Sequence, residues 1–100
     1  MLTEEYIRYI LEDVIDPEMG VNIIDLGLIY DIKIVEREIR IKMTLTSPGC
    51  PAGPEIINNA KLSILKLKEV DKVDVQLVWM PMWNSEMMAD EAREELLGYF

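Results

Sequence analysis

One hundred residues, half of them hydrophobic and only 7% aromatic, are enough for one domain with a small aliphatic core. Nineteen acidic against ten basic residues leave a net charge of −9, which repels phosphate backbones and anionic lipid, so neither nucleic acid nor a membrane surface is an expected partner. A single cysteine and no histidine exclude an internal disulfide and any four-cysteine zinc or cluster site built by one chain.

The chain opens Met1-Leu2-Thr3-Glu4-Glu5, without a basic segment leading into an apolar run, and no apolar stretch approaches the ~20 residues of a membrane span. A cytoplasmic protein is expected. Thr3 can cap a helix over residues 3–15, whose first turn carries Glu4 and Glu5 and whose apolar face is Ile7, Ile10, Leu11 and Val14. Asp16-Pro17 ends it, because a residue before proline is pushed out of the helical region. Val21 to Gly27 fits neither the helical nor the strand period, and Asp25-Leu26-Gly27 suggests a bend. From Leu28 the alternation sharpens, with Leu28, Tyr30, Ile32 and Ile34 on one face. Ile39, Ile41, Met43 and Leu45 repeat it, opposed to Arg40, Lys42, Thr44 and Thr46. Glu36-Arg37-Glu38 reads as the hairpin turn, though it lacks the glycine or asparagine that tight turns prefer.

Three prolines and two glycines then fall within seven residues, Pro48 to Pro54, around the lone Cys50. Such a run forms a shaped loop. Pro51 or Pro54 can open the next helix, over about 53–68, with Ile57, Ala60, Ile64 and Leu67 on one side and Lys61, Lys66 and Lys68 in its later half. Cys50 thus stands within about a turn of a positive helix end, a site typically worth about 0.3–1 kcal/mol to an anion. That is weak activation for a nucleophile with no histidine beside it. A bound metal would change this, since coordination deprotonates a thiol outright. A lone cysteine is most often a small buried hydrophobe, but a core cysteine needs no proline and glycine frame, so a displayed thiol is expected here.

Val73, Val75, Leu77 and Trp79 alternate as a third strand. Trp79-Met80-Pro81-Met82-Trp83 follows, too stiff and apolar for an ordinary solvent loop, and Trp79, Met80, Met82 and Trp83 are candidates for packing or for a docking surface. Ser85-Glu86 opens a third helix over about 86–97, with Met88, Ala89, Ala92 and Leu96 on one side. The order helix, strand, strand, helix, strand, helix predicts a single two-layer α+β domain over residues 1–100, helices covering one face of a small sheet. If the hairpin turns away from the cysteine loop, Asp16, Glu18 and Asp25 come toward Cys50. Thr44, Thr46 and Ser47, leading into the loop, could hydrogen-bond a ligand there.

Three ordered stretches carry a resemblance. Asp16-Pro17-Glu18, then Val21 to Tyr30 (VNIIDLGLIY), then Met43 to Pro51 (MTLTSPGCP) resemble the signatures of the SufT and PaaD related iron–sulfur cluster assembly domain family, and the likeness runs from the first helix to the last. The resemblance implies a compact α+β domain acting in the maturation of iron–sulfur proteins. It implies Cys50 as the iron or sulfur ligand and Asp16, Glu18 and Asp25 as acids grouped beside it. PaaD-like members carry a cysteine-rich C-terminal extension, which is not found before Phe100, so the general SufT-like role is favoured over a dedicated oxygenase-maturation factor. The expectation is a non-enzymatic factor with no tightly bound cofactor, holding at most iron or a transient iron–sulfur cluster. Its expected partners are apo iron–sulfur proteins and a cluster scaffold or P-loop ATPase carrier, with a second copy of the chain as a further candidate. Two rival readings are an adaptor that touches neither iron nor sulfide, and a thiol enzyme or persulfide carrier.

Overall fold

The computed structural model describes residues 2–97, with side chains to residue 94. Helix α1 (Glu4–Leu11) is followed by the two-residue strands β1 (Ile15–Asp16) and β2 (Val21–Asn22), then β3 (Ile29–Val35), β4 (Glu38–Met43), helix α2 (Gly53–Leu65), β5 (Lys72–Leu77) and helix α3 (Asp90–Leu97). The α+β class follows the sequence reading, but the strands form two sheets: the antiparallel pair β1–β2 and a mixed sheet in the order β3-β4-β5. In the mixed sheet β3 and β4 are antiparallel, and β4 and β5 are parallel. The parallel step needs a crossover, which α2 supplies.

Local sequence explains most boundaries. The Thr3 side chain accepts the N–H of Tyr6 at 3.1 Å, capping α1, and Ile7, Leu11 and Val14 are buried, with Ile10 packed against the same core. The helix stops at Leu11, four residues short of expectation, because the chain is recruited into β1: the N–H of Ile23 donates to Val14 O at 2.9 Å. In α2 the buried side is Ile56, Ala60 and Ile64, with Ile57 and Leu67 at its margin. Helix α3 is shorter than expected, since Ser85–Met87 form a 3₁₀ turn ahead of it. Met88 and Ala92 are buried as expected, while Ala89 is exposed and the Leu96 side chain lies outside the described residues.

The strand alternation fails at one place. Ile29 pairs with Met43 but Asp31 pairs with Lys42, so Tyr30 is an extra residue, a β-bulge that shifts the phase of β3. Leu28, Ile29 and Ile32 are therefore the buried set, and Tyr30 is only half-buried. The β3–β4 turn has two residues, and Glu36 takes it with φ of +57°. A side chain in that region costs roughly 1–2 kcal/mol. Replacing Glu36 with glycine should raise the unfolding free energy by about 0.5–1 kcal/mol, read from the urea midpoint at unchanged slope.

Candidate functional site

The cysteine loop begins where β4 ends. Backbone bonds cross from the β1–β2 hairpin to that point. Val14 O accepts from Ile23 N–H, Ile23 O from Leu28 N–H at 3.1 Å, and Leu28 O from Thr44 N–H at 2.9 Å. The Asp16 turn and the start of the cysteine loop thus lie at the same end of the molecule, opposite the Glu36-Arg37 turn.

Cys50 itself departs from expectation. It keeps only 8% of its surface and joins the core cluster, so the loop does not display the thiol. The reason is the close packing of the start of α2 on the end of the sheet. A Cβ at Gly53 would stand 2.7 Å from Leu45 Cδ1, so glycine there lets the helix start settle on Leu45 and draws the loop inward. Pro54 is the second residue of the helix, and Ala52 caps it without a side-chain bond. Ser47, Pro48, Gly49 and Pro51 remain exposed and Thr46 is half-buried, so the thiol lies one residue beneath an exposed rim. Two turn bonds brace this rim: Cys50 N–H to Ser47 O at 3.2 Å and Gly53 N–H to Cys50 O at 3.1 Å.

The acids also separate. Asp16 is fully buried, and its Oδ1 accepts the N–H of Glu18 at 2.9 Å and of Met19 at 3.4 Å, an Asx-type turn that carries the chain past Pro17. Its other oxygen, Oδ2, is enclosed and makes no hydrogen bond. Glu18 points to solvent. Asp25 is half-buried, accepts the Asn22 amide at 3.1 Å through Oδ2 and, through its backbone oxygen, the N–H of Ala89 at 2.7 Å. It lines a recess of about 200 Å³ with Ile15, Gly20, Asn22, Glu91 and Ala92, which Cys50 does not enter. Among the described residues no three histidine, cysteine, aspartate or glutamate side chains converge to hold a metal ion. The expected gathering of Asp16, Glu18 and Asp25 around Cys50 is not found.

Two groups at this end sit otherwise than the strand alternation predicts. Thr44 is fully buried with a hydroxyl that makes no hydrogen bond, the second such group after Asp16. An unpartnered buried polar group costs about 1–3 kcal/mol, so stability alone does not explain two of them at one end of a small domain. Tyr30, swung out by the bulge, donates its hydroxyl to Pro81 O at 2.7 Å, with Met87 Sδ 3.4 Å away. Burial pushes this phenol above its ordinary pKa. Tyr30 thereby clasps the segment after β5 over the sheet. Beneath it runs an open groove of about 680 Å³ between Ile29, Asp31, Lys42, Val78, Met80 and Met87.

That segment divides the candidate docking residues. Met80 and Met82 are 81% and 70% exposed and Trp79 is 36% exposed, whereas Trp83 turns inward and donates its indole N–H to Leu26 O at 2.7 Å. Trp83 is therefore an anchor, leaving Trp79, Met80 and Met82 as the exposed surface. Gly27, with φ of +78°, permits the anchoring, because a side chain there would collide with the Met87 carbonyl.

Residues 4–77 match the model of the family described as iron-sulfur cluster assembly protein. The chain belongs to that family. Its similarity to individual members of the iron–sulfur cluster assembly family is spread over most of its length. It is 43% identical over 91 residues to the Fe-S protein maturation auxiliary factor YitW of Bacillus subtilis, covering 90% of this chain and 89% of that one. It is 41% identical over 81 residues to the Fe-S protein maturation auxiliary factor SufT of Staphylococcus aureus, covering 80% and 92%. Among solved structures, a domain of unknown function from Bacillus anthracis superposes with a TM-score of 0.89 at 39% identity, covering 93% of this chain and 90% of that one. The SufT and PaaD resemblance and the α+β fold are thus established. No helix among the described residues is long and apolar enough to cross a membrane.

Proposed function

We propose that this protein is a non-catalytic factor that helps deliver iron–sulfur clusters to apo-proteins, with the Cys50 thiolate as its one soft ligand to the cargo. The observation that carries the reading is the position of the chain's only cysteine in a braced loop, at the end where Asp16 Oδ2 and Thr44 Oγ1 are buried without partners. Iron–sulfur clusters are ordinarily held by four protein ligands. One chain offers one thiol, so the remaining ligands must come from the donor or from the client, and a cargo held by so few bonds is easily passed on. Asp16 Oδ2 is a hard oxygen acceptor suited to iron, and Thr44 a donor suited to a sulfide edge. Reaching the thiol requires the rim Ser47–Pro51 to open. Among the described residues two turn bonds and local packing resist this, and segments so weakly tied open at little cost.

The exposed Trp79, Met80 and Met82 fit contact with the client or with a separate cluster carrier, since thioether side chains adapt to varied apolar surfaces. A second reading is favoured by the burial of Cys50 and the absence of a metal-holding group among the described residues: an adaptor that joins carrier to client and never touches iron. An apo-client maturation assay with purified carrier separates them. Delivery through the thiol predicts that wild type accelerates maturation and that iodoacetamide pretreatment removes the acceleration. An adaptor predicts that acceleration survives alkylation of Cys50.

A further inference from the structure

Strand β5 forms one edge of the mixed sheet, and among the described residues no strand pairs with its outer side. The other edge, β3, is broken by the Tyr30 bulge, the kind of device that discourages pairing. β5 carries no bulge, and its charged residues are Lys72 and Asp74. Its register with β4 is unbroken from Lys72 to Leu77, and it contains no proline. Which groups it presents can be worked out. The N–H of Val78 donates to Met43 O at 2.8 Å and that of Lys72 to Arg37 O at 3.4 Å, so the even-numbered residues turn their main chain toward β4. Main-chain groups alternate sides along a strand, leaving Val73, Val75 and Leu77 to present theirs at the open edge.

We infer that two copies of this chain join antiparallel through β5 into one continuous sheet, with their Cys50 loops at opposite ends of the dimer. The edge is self-complementary in one register, centred on Val75. Val73 then faces Leu77 of the second copy, Val75 faces Val75 and Leu77 faces Val73, so every open N–H and carbonyl of these residues finds a partner. The same register sets apolar against apolar on the core side, covering Leu77, which is 37% exposed. On the other face each Gln76 amide meets the second copy's Asp74 carboxylate, a polar match repeated by the two-fold axis.

Helix α2 extends the contact. Its groove with α1 is lined by Asn59, Leu62, Ser63 and Lys66, so Ile57, Lys61 and Leu65 lie on the opposite flank. α1 packs on β3 and α2 on β5, so that flank borders the open edge, and it includes Leu65, 42% exposed. The strand itself is neutral, with Lys72 balancing Asp74, so the two net charges of −9 do not meet at the contact. Because β4 and β5 run parallel, the Cys50 loop sits at the C-terminal end of β5, and antiparallel pairing of β5 sends the two loops apart. On the reading of Cys50 proposed above, the two thiols cannot bridge one cluster, and the client or the donor must supply the missing ligands.

Sedimentation of the full chain at rising concentration should show a reversible species of twice the chain mass, tightened by salt as the charges are screened. Val75→Pro removes an outward N–H and no bond to β4, so the circular dichroism spectrum should be kept while dimerisation weakens at least about tenfold, the loss expected for two main-chain hydrogen bonds. Cys50→Ser should dimerise as wild type does, which keeps this test separate from the one for the thiol. Oxidised glutathione should crosslink the double variant Cys50→Ser/Val75→Cys, because directly opposed residues sharing hydrogen bonds lie about 5.5 Å apart, within disulfide reach. A chain that stays monomeric to millimolar concentration, a dimer that Val75→Pro leaves intact, or a wild-type dimer crosslinked through Cys50 would each overturn the inference.

Discussion

Cys50→Ser is expected to abolish maturation of apo-clients while leaving the fold in place. The substitution trades a small soft side chain for a slightly smaller hydroxyl in a site that keeps 8% of its surface. A buried hydroxyl without a partner costs roughly 1–3 kcal/mol, which lowers the denaturation midpoint without unfolding a domain of ordinary stability. The chemical loss is far larger. Serine is neither a soft ligand nor ionised near neutral pH, and the chain has no other cysteine or histidine to take over. Maturation should fall to the rate seen without the factor, at least about tenfold if delivery is rate-limiting. Thermal denaturation run alongside separates the two effects. Wild-type maturation by a folded Cys50→Ser protein would show that the thiol is not the working group.

The second large effect is expected at Asp16. Its Oδ1 ties the turn through two N–H groups while Oδ2 is enclosed and unpaired. Asp16→Asn keeps the first function, because an amide oxygen accepts the same bonds. It removes the second, because the remaining position becomes an NH₂ without charge. If Oδ2 is held ready for iron, ferrous iron retention under anaerobic conditions should drop about tenfold or more with little change in stability. Asp16→Ala should damage both, with the loss of a cap-like turn worth about 1 kcal/mol in addition. If the orphaned oxygen has no ligand role, Asp16→Asn would leave iron retention unaltered.

Much of the fold was legible in the residues, and the failures have physical causes. Periodicity located α1, α2, β3, β4 and β5 because each has one face buried against a shared core, and that burial is what writes a period into the sequence. The β1–β2 pair left no signal because two-residue strands are too short to show alternation. The bulge at Tyr30 was hidden for a related reason. Ile29 and Tyr30 are both large and apolar, so the pattern reads smoothly through the point where the register slips. Glu36 in a left-handed turn carries none of the usual glycine or asparagine, and its geometry is imposed by the strands on either side.

At the site, the importance of the loop could be read from its prolines and glycines, but the depth of Cys50 could not. That depth depends on where α2 settles against Leu45, a contact between segments with no local mark. Asp16 stands out in the sequence beside Pro17, yet its burial and unpaired oxygen come from the β1–β2 pairing, which leaves no local pattern. By composition Trp83 is indistinguishable from its exposed neighbours Trp79, Met80 and Met82. The carbonyl of Leu26, distant in sequence, is what turns it inward.

Most direct is anaerobic reconstitution of wild type and Cys50→Ala side by side with ferrous iron and sulfide, followed by desalting and a visible absorption spectrum. Cargo carried on the thiol predicts charge-transfer absorbance that wild type retains and Cys50→Ala lacks, bleaching as an apo-client takes the cluster. Identical spectra from the two proteins, coloured or colourless, would contradict it.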